Sequence, residues 1–167
     1  MCSVVLDTPR LILRTVTLED IDLVALNMNL DGPPISRQEA EEQVNRMLAN
    51  HRQNATGKIA HLCLVIIHKQ TGEWIGWCGI DNLKPTRPHP VLFYLLKAAC
   101  WGQGLATEAA RTLLDYAFGT LRLPQIDSAA ARDNLASVRV MEKLGMHYLG
   151  LDAEGGHAFT LTREEFR

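Results

Sequence analysis

Hydrophobic positions recur with two periods along this chain, and the switches between them mark its elements. Leu11-Ile12-Leu13 lies between Arg10 and Arg14, and predicts a first strand over Thr8 to Thr15. Ile21, Val24, Ala25 and Met28 follow at helical spacing. Ahead of them Thr17-Leu18-Glu19-Asp20 reads as a capping box with Asp in place of Glu. Asp31-Gly32-Pro33-Pro34 must end that helix, because proline has no N–H to continue the ladder. A second box, Ser36-Arg37-Gln38-Glu39, opens a helix with Ala40, Val44, Met47 and Leu48 on one face and an end near Asn50.

His51 to Lys58 is polar and predicts a loop. The β-rich runs His61 to His68 and Glu73 to Asp81 flank Thr71-Gly72, the pattern of a hairpin. Pro85, Pro88 and Pro90 make Asn82 to Pro90 a loop, and Val91 to Leu96 is the next strand. A helix from about Gly104 to Phe118 has Leu105, Ala109 and Leu113 spaced by four. Ala106, Ala110, Leu114 and Ala117 widen its apolar face. Gln125 to Ala131 is a strand of small residues. Asp133-Asn134 opens a helix carrying Leu135, Val138, Met141 and Leu144, with Gly145 placed to end it. Met146 to Leu151 and His157 to Thr162 form a last pair of strands. The order is β-α-α-β-β-β-α-β-α-β-β, with no repeat and no linker, so residues 1–167 read as a single domain.

Composition narrows the partners. Hydrophobic residues make up 47% and charged residues 22% of the 167, enough for a core of one domain. Lys plus Arg is 17 against 19 for Asp plus Glu, a formal net charge of −2. That balance argues against nucleic acid, which asks for a basic surface. A local positive field suffices for a nucleotide or CoA. Cys2, Cys63, Cys78 and Cys100 form no C-x-x-C pair, and Cys63 and Cys78 lie in apolar runs, so free buried thiols in a reducing compartment are expected. Asp7 and Arg10 come too early for a signal peptide, and Leu62 to Ile67 is too short to span a bilayer. A cytoplasmic protein without a membrane partner is the reading. The histidines show no ligand spacing, so no metal is expected.

The stretch with chemistry in it is Cys100-Trp101-Gly102-Gln103-Gly104-Leu105-Ala106-Thr107-Glu108, between the strand ending at Leu96 and the long helix. Two glycines let backbone come close to a ligand. The first N–H groups of a helix have no internal partner and face whatever lies before it, phosphate being the natural guest. A plain strand-to-helix turn has the same pattern.

Taken in order, Thr8-Pro9-Arg10-Leu11-Ile12-Leu13-Arg14, Trp101 to Ala109, Asn134 to Met146 and Leu161 to Phe166 resemble the GCN5-related N-acetyltransferases (GNAT), in particular their ribosomal-protein alanine acetyltransferase-like (RimJ/RimL-like) group. The resemblance covers essentially the whole chain. It implies an α/β (α+β) fold: a central mixed, mostly antiparallel sheet, splayed between strands 4 and 5 of the order above and flanked by helices. It also implies acetyl-CoA as cosubstrate, a primary amine as acceptor (a protein N-terminus or a small molecule), direct transfer in a ternary complex, and a homodimer as an option. Trp101, Gly102, Gln103, Gly104, Leu105, Ala106 and Thr107 would cradle the CoA pyrophosphate. Leu95 and Leu96 would offer backbone to the pantetheine, and one N–H there would polarise the thioester carbonyl. Asn134 is either a helix cap or a pantetheine ligand. Ser137, three residues later, is a candidate donor to the leaving thiolate.

Two departures bear on the chemistry. Met141 stands where many members carry a tyrosine as general acid, and Val91 to Leu96 has no carboxylate where many carry a glutamate as base. An amine with a pKa of about 10.4, lysine-like, must lose a proton before it attacks. Asp81 is the nearest carboxylate by topology, with Tyr94, His89 and, further off, His157 as other candidates; Asp81 also reads as an ordinary strand-end residue. Cys100 has no activating neighbour in sequence, which argues against a covalent acyl-enzyme. Met28 to Ile35, with Asp31, and Asn82 to Pro90, with Lys84 and Arg87, would be the acceptor loops. A non-catalytic acyl-CoA-binding module is the competing reading. A nucleotide-binding protein is disfavoured, because Gly104 is followed by Leu105-Ala106 and not by Lys-Ser/Thr. Replacing Gly104 by Val is expected to weaken CoA binding strongly; calorimetric titration showing unchanged affinity in a folded variant would remove this loop from the site.

Overall fold

Unbroken apolar strands need cover on both faces, and here they receive it. The computed structural model describes residues 3–30, 32–83 and 88–166. In chain order the elements are β1 (Val5–Asp7), β2 (Leu11–Thr15), α1 (Ile21–Asn27), α2 (Arg37–His51), β3 (His61–His68), β4 (Trp74–Asp81), β5 (Val91–Leu96), α3 (Leu105–Asp115), β6 (Gln125–Ala130), α4 (Leu135–Lys143), β7 (His147–Leu151) and β8 (His157–Thr162). The strands form one sheet in the order β1-β2-β3-β4-β5-β6-β8-β7. Along β3 the period of two sends Leu62, Leu64 and Ile66 into one core and Cys63 and Val65 into the other. The first core is closed by Leu105, Ala109, Ala110 and Leu113 of α3 and Met141 of α4. The second is closed by Val24 of α1 and Ala40, Val44 and Met47 of α2, against Trp74 and Trp77. The sheet is thus the middle of three layers.

Every neighbouring pair is antiparallel except β5 and β6, which run parallel and share one register pair, Val91 with Asp127. Beyond that pair the two strands part. This is the mixed, mostly antiparallel sheet expected, split between the strands counted fourth and fifth in the sequence reading. They become β5 and β6 because a short strand precedes them. That strand, β1, pairs Val5 with Arg14. Three residues ending in Asp carry too little periodicity to announce it. The expected strand over Thr8 to Thr15 begins only at Leu11, since Thr8 turns the chain by an N–H bond of 3.0 Å to the Leu11 carbonyl.

Most local signals hold. Ser36 accepts the Glu39 N–H at 3.2 Å, and Glu39 accepts the Ser36 N–H at 2.9 Å. Asp20 accepts the Thr17 N–H at 2.7 Å and is gripped through both oxygens by Arg14 at 2.7 Å. Gly145, at φ +80°, ends α4 in a Schellman arrangement: its N–H reaches Glu142, and that of Met146 reaches Met141. The long helix stops at Asp115, earlier than expected. It continues as a wider turn over Tyr116–Thr120, in which Leu121 N–H reaches back to Tyr116 at 3.0 Å. Asp31 and the stretch with Lys84, Pro85 and Arg87 lie outside the described residues. Among the described residues no helix is long and apolar enough to cross a membrane.

Two glycines let β5 sit close to β4. A Cβ on Gly76 would lie 2.1 Å from the Leu95 carbonyl oxygen, and one on Gly79 would lie 2.3 Å from the Phe93 ring. Gly76→Ala is therefore expected to cost about 1–3 kcal/mol or more through overpacking. Urea denaturation reads this as a lower midpoint; an unchanged midpoint would show that β5 is free to shift.

Candidate active site

The turn after β5 is built to leave donors uncovered. Gly102 and Gly104 adopt φ +72° and +76°, left-handed values that side chains resist. Gly104 is the N-cap of α3, and the first bond inside the helix runs from Glu108 N–H to Gly104 carbonyl at 3.0 Å. The N–H groups of Leu105, Ala106 and Thr107 precede it and face out of the helix end, where the macrodipole is positive. Trp101, Gly102, Gln103 and Gly104 are exposed. Among the described residues nothing lies within 4 Å of where a Cβ on Gly102 would be, and a Cβ on Gly104 would meet only Arg10, at 3.7 Å. An open face lined by unpaired N–H groups fits a pyrophosphate.

Three ties hold this turn. The Trp101 indole N–H donates to Leu96 carbonyl at 2.8 Å, the Gln103 side-chain amide donates to Ala99 carbonyl at 3.0 Å, and Arg10 donates to Gln103 carbonyl at 2.9 Å. Arg10 also pairs with Glu108 at 2.6 Å. Burial raises the proton affinity of Glu108. Hydrogen bonds from Thr8 and Arg10 outweigh it and hold the carboxyl below its ordinary range. Neither Arg10 nor Glu108 is among the sequence candidates, and nothing local links residues 98 positions apart.

The second feature is the gap where β5 leaves β6. Lys97 N–H bonds to Ile75 carbonyl at 2.9 Å. By antiparallel alternation Phe93 and Leu95 then also turn their backbone groups to β4, whereas Leu92, Tyr94 and Leu96 turn theirs to the gap. Two of the gap-side carbonyls are taken, Leu92 by the Ser128 hydroxyl at 3.1 Å and Leu96 by the Trp101 indole. The N–H groups of Tyr94 and Leu96 and the carbonyl of Tyr94 face the gap. The backbone candidates therefore become Tyr94 and Leu96; Leu95 offers only an exposed side chain, because its own N–H is directed at β4.

The start of α4 closes the far side. Asn134 accepts the Ser137 N–H at 3.1 Å, so its oxygen caps the helix. The Ser137 hydroxyl has no bonding partner among the described residues, and the Ser137 carbonyl accepts the Tyr94 hydroxyl at 3.0 Å. Burial, more than any other cause, pushes the Tyr94 phenol up to about 12. A phenol that donates to a carbonyl and resists ionisation is a poor base near neutral pH. It is a strut between β5 and α4.

Asp81 lies on the opposite face of the sheet from Tyr94. It ends β4 opposite Val91, at the closed end of the gap, and accepts the Leu83 N–H at 3.0 Å. Its Oδ1 is 3.5 Å from Nδ1 of His61, and the His61 ring stacks on Phe93 at 6.0 Å. Burial lowers the His61 pKa, against the pull of Asp81, so the imidazole is neutral at pH 7. The structure thus separates the three catalytic candidates, with Ser137 and Tyr94 on the α4 side and Asp81 on the α1–α2 side. His157 is held between the Tyr148 hydroxyl at 3.3 Å and the Arg132 carbonyl at 3.2 Å. Cys63 and Cys78 are buried, and burial pushes the Cys63 thiol up to about 12. Among the described residues no cluster of three or more His, Cys, Asp or Glu side chains is placed to hold a metal.

Comparison with known proteins gives this geometry a context. Residues 10–147 match the family model described as "Acetyltransferase (GNAT) domain". The Bacillus subtilis protein YkkB is 40% identical over 81 residues, which span 48% of this chain and 47% of YkkB. The Bacillus licheniformis N-acetyltransferase p20 is 28% identical over 153 residues, covering 86% of this chain and 83% of p20. Among solved structures, ribosomal-protein-S5-alanine acetyltransferase from Vibrio fischeri superposes with a TM-score of 0.80 at 17% identity, covering 98% of this chain and 99% of that one.

Tyr94→Phe removes one neutral hydrogen bond and is expected to cost about 0.5–1.5 kcal/mol of stability. The shape of the pH–rate profile between about pH 6 and 9 should stay as in the wild type. Loss of a limb from that profile would show that the phenol titrates in the reaction.

Proposed function

The chain belongs to the acetyltransferase (GNAT) domain family, and from that membership we propose that it transfers the acetyl group of acetyl-CoA to a primary amine by direct attack in a ternary complex. The observation that carries this is the alignment of two binding elements on one strand. β5 presents unpaired backbone to the gap, and beyond its end at Leu96 the chain turns through Gly102 to Gly104, the N-cap at the phosphate-facing end of α3. A ligand with an extended amide chain joined to a pyrophosphate matches both at once. Backbone in the gap pairs with the chain as an added strand would, and the N–H groups of residues 104–107 hold the phosphates.

The two faces of the sheet divide the chemistry. The acceptor amine, a peptide N-terminus or a small-molecule amine, comes from the α1–α2 side. Its nitrogen bonds to the thioester carbonyl carbon, the C–S bond breaks, and an N–H of β5 stabilises the oxyanion. Asp81, backed by neutral His61, takes the amine proton directly or through water. The thiolate leaves on the α4 side, where the Ser137 hydroxyl, without a bonding partner among the described residues, donates a hydrogen bond to it, and its proton comes from water. Cys63, Cys78 and Cys100 are all free thiols, which suits the cytoplasm.

The test is acceptor-dependent release of CoA thiol from acetyl-CoA across a panel of peptides and small amines. At least one acceptor is expected to turn over. Asp81→Asn is expected to lower kcat by about 10²–10⁴ with little change in acetyl-CoA KM. The wild-type rate should fall as pH drops through the lowered His61 pKa, because protonated His61 no longer assists the base. Tight acetyl-CoA binding with no turnover across the panel would favour a binding module. Unchanged kcat in Asp81→Asn would take Asp81 out of the mechanism.

A further inference from the structure

Arg10 sits at the head of β2, far in sequence from the phosphate-facing turn, yet ties that turn to the first residues of α3. Its backbone N–H donates to Glu108 Oε1 at 2.9 Å, beside the Thr8 hydroxyl on the same oxygen at 2.6 Å. Its Nε and Nη2 both reach Glu108 Oε2 at 2.6 Å, and its Nη1 donates to the Gln103 carbonyl at 2.9 Å. We propose that Arg10 is a positioning residue that locks the Gln103–Gly104 peptide with its N–H toward the ligand, and so sets the affinity for the phosphate half of CoA. The proposal rests on the reading of this turn as the pyrophosphate site.

A trans peptide is planar, with its C=O and N–H pointing opposite ways. Fixing the Gln103 oxygen on Arg10 therefore aims the Gly104 N–H away from Arg10, to the open side of the turn. With glycine at 104 the opposite orientation is sterically cheap, and it would turn a carbonyl oxygen toward an incoming phosphate. Arg10 removes that alternative. It also answers a charge problem. Glu108 lies in the first turn of α3, where a carboxylate suits the helix dipole but repels a bound phosphate. The guanidinium neutralises it at contact distance, and the Glu108 side chain is only 15% exposed, so water screens it weakly. The planar fork matters because one side chain must hold both a carboxylate and a carbonyl, in fixed directions.

The experiment compares two ligands in the full chain by calorimetric titration: CoA, and acetyl-pantetheine, which shares the pantetheine arm and lacks the phosphates. Arg10→Ala is expected to raise the CoA Kd by about 10- to 100-fold, as for a lost charged hydrogen bond, with acetyl-pantetheine affinity unchanged. Arg10→Lys keeps the charge but has no fork, and is expected to recover part of the CoA affinity. Equal losses for both ligands would mean that Arg10 only supports the fold, and would overturn the proposal. So would wild-type CoA affinity in Arg10→Ala, while leaving the assignment of the CoA site intact. Wild-type protein that failed to bind CoA would overturn that assignment and the lock with it.

Discussion

A strand in the middle of a sheet with one side of its backbone left unpaired is the constraint on which this structure turns. Buried N–H and C=O groups must find partners, and β5 finds them along β4 but along β6 only at its start, where the strands share the Val91–Asp127 register pair and the Asp127 N–H donates to the Pro90 carbonyl at 2.8 Å. The protein supplies substitutes for some of the rest, the Ser128 hydroxyl for Leu92 and the Trp101 indole for Leu96. What remains is a short run of backbone with the edge of a strand open to an added one, the place proposed for an extended, amide-bearing ligand. The three layers serve this arrangement. α3 and α4 brace one face of the split, packing on β5 and β6, and α1 and α2 cover the other face of the sheet over β3 and β4. Gly76 and Gly79 let β4 press β5 into a fixed line.

Because the gap lies within the sheet plane, its two sides communicate with different layers. The α4 side offers Ser137 with a free hydroxyl and Tyr94 tied to a carbonyl; the α1–α2 side offers Asp81 and His61. Burial sorts these groups. It raises the phenol and lowers the imidazole, so Tyr94 keeps its proton and His61 is without its second. A site that must deliver a proton on one side and accept one on the other is served by that division. In the proposed mode of binding the glycine turn anchors the ligand at one end and fixes where along β5 its reactive end falls.

The architecture was largely legible in the sequence because its signals are local. Continuous apolar runs identify two-sided strands, S-x-x-E marks the start of α2, and Gly145 marks the end of α4. The turn Trp101 to Thr107 was legible for the same reason: its glycines and the helix after them are contiguous. What escaped depends on register or distance. Whether Leu95 or Tyr94 faces the gap is a matter of strand parity, set by the pairing of Lys97 with Ile75. His61 reads as a strand-end residue until β3 is laid beside β4 and brings it to Asp81. Tyr94 reads from the sequence as a candidate base, and nothing near it in the chain announces that its hydroxyl donates to a carbonyl 43 residues away. The Arg10–Glu108 pair joins the first strands to the third helix, and nothing in either neighbourhood points to the other.

The central claim is that β5 and the turn after it together form one ligand-binding line. Amide hydrogen exchange with and without acetyl-CoA tests it residue by residue. The account predicts slowed exchange at the Tyr94 and Leu96 amides and across residues 102–107, with β7 and β8 unchanged. Protection confined to other segments, or none at these amides under saturating acetyl-CoA, would contradict it.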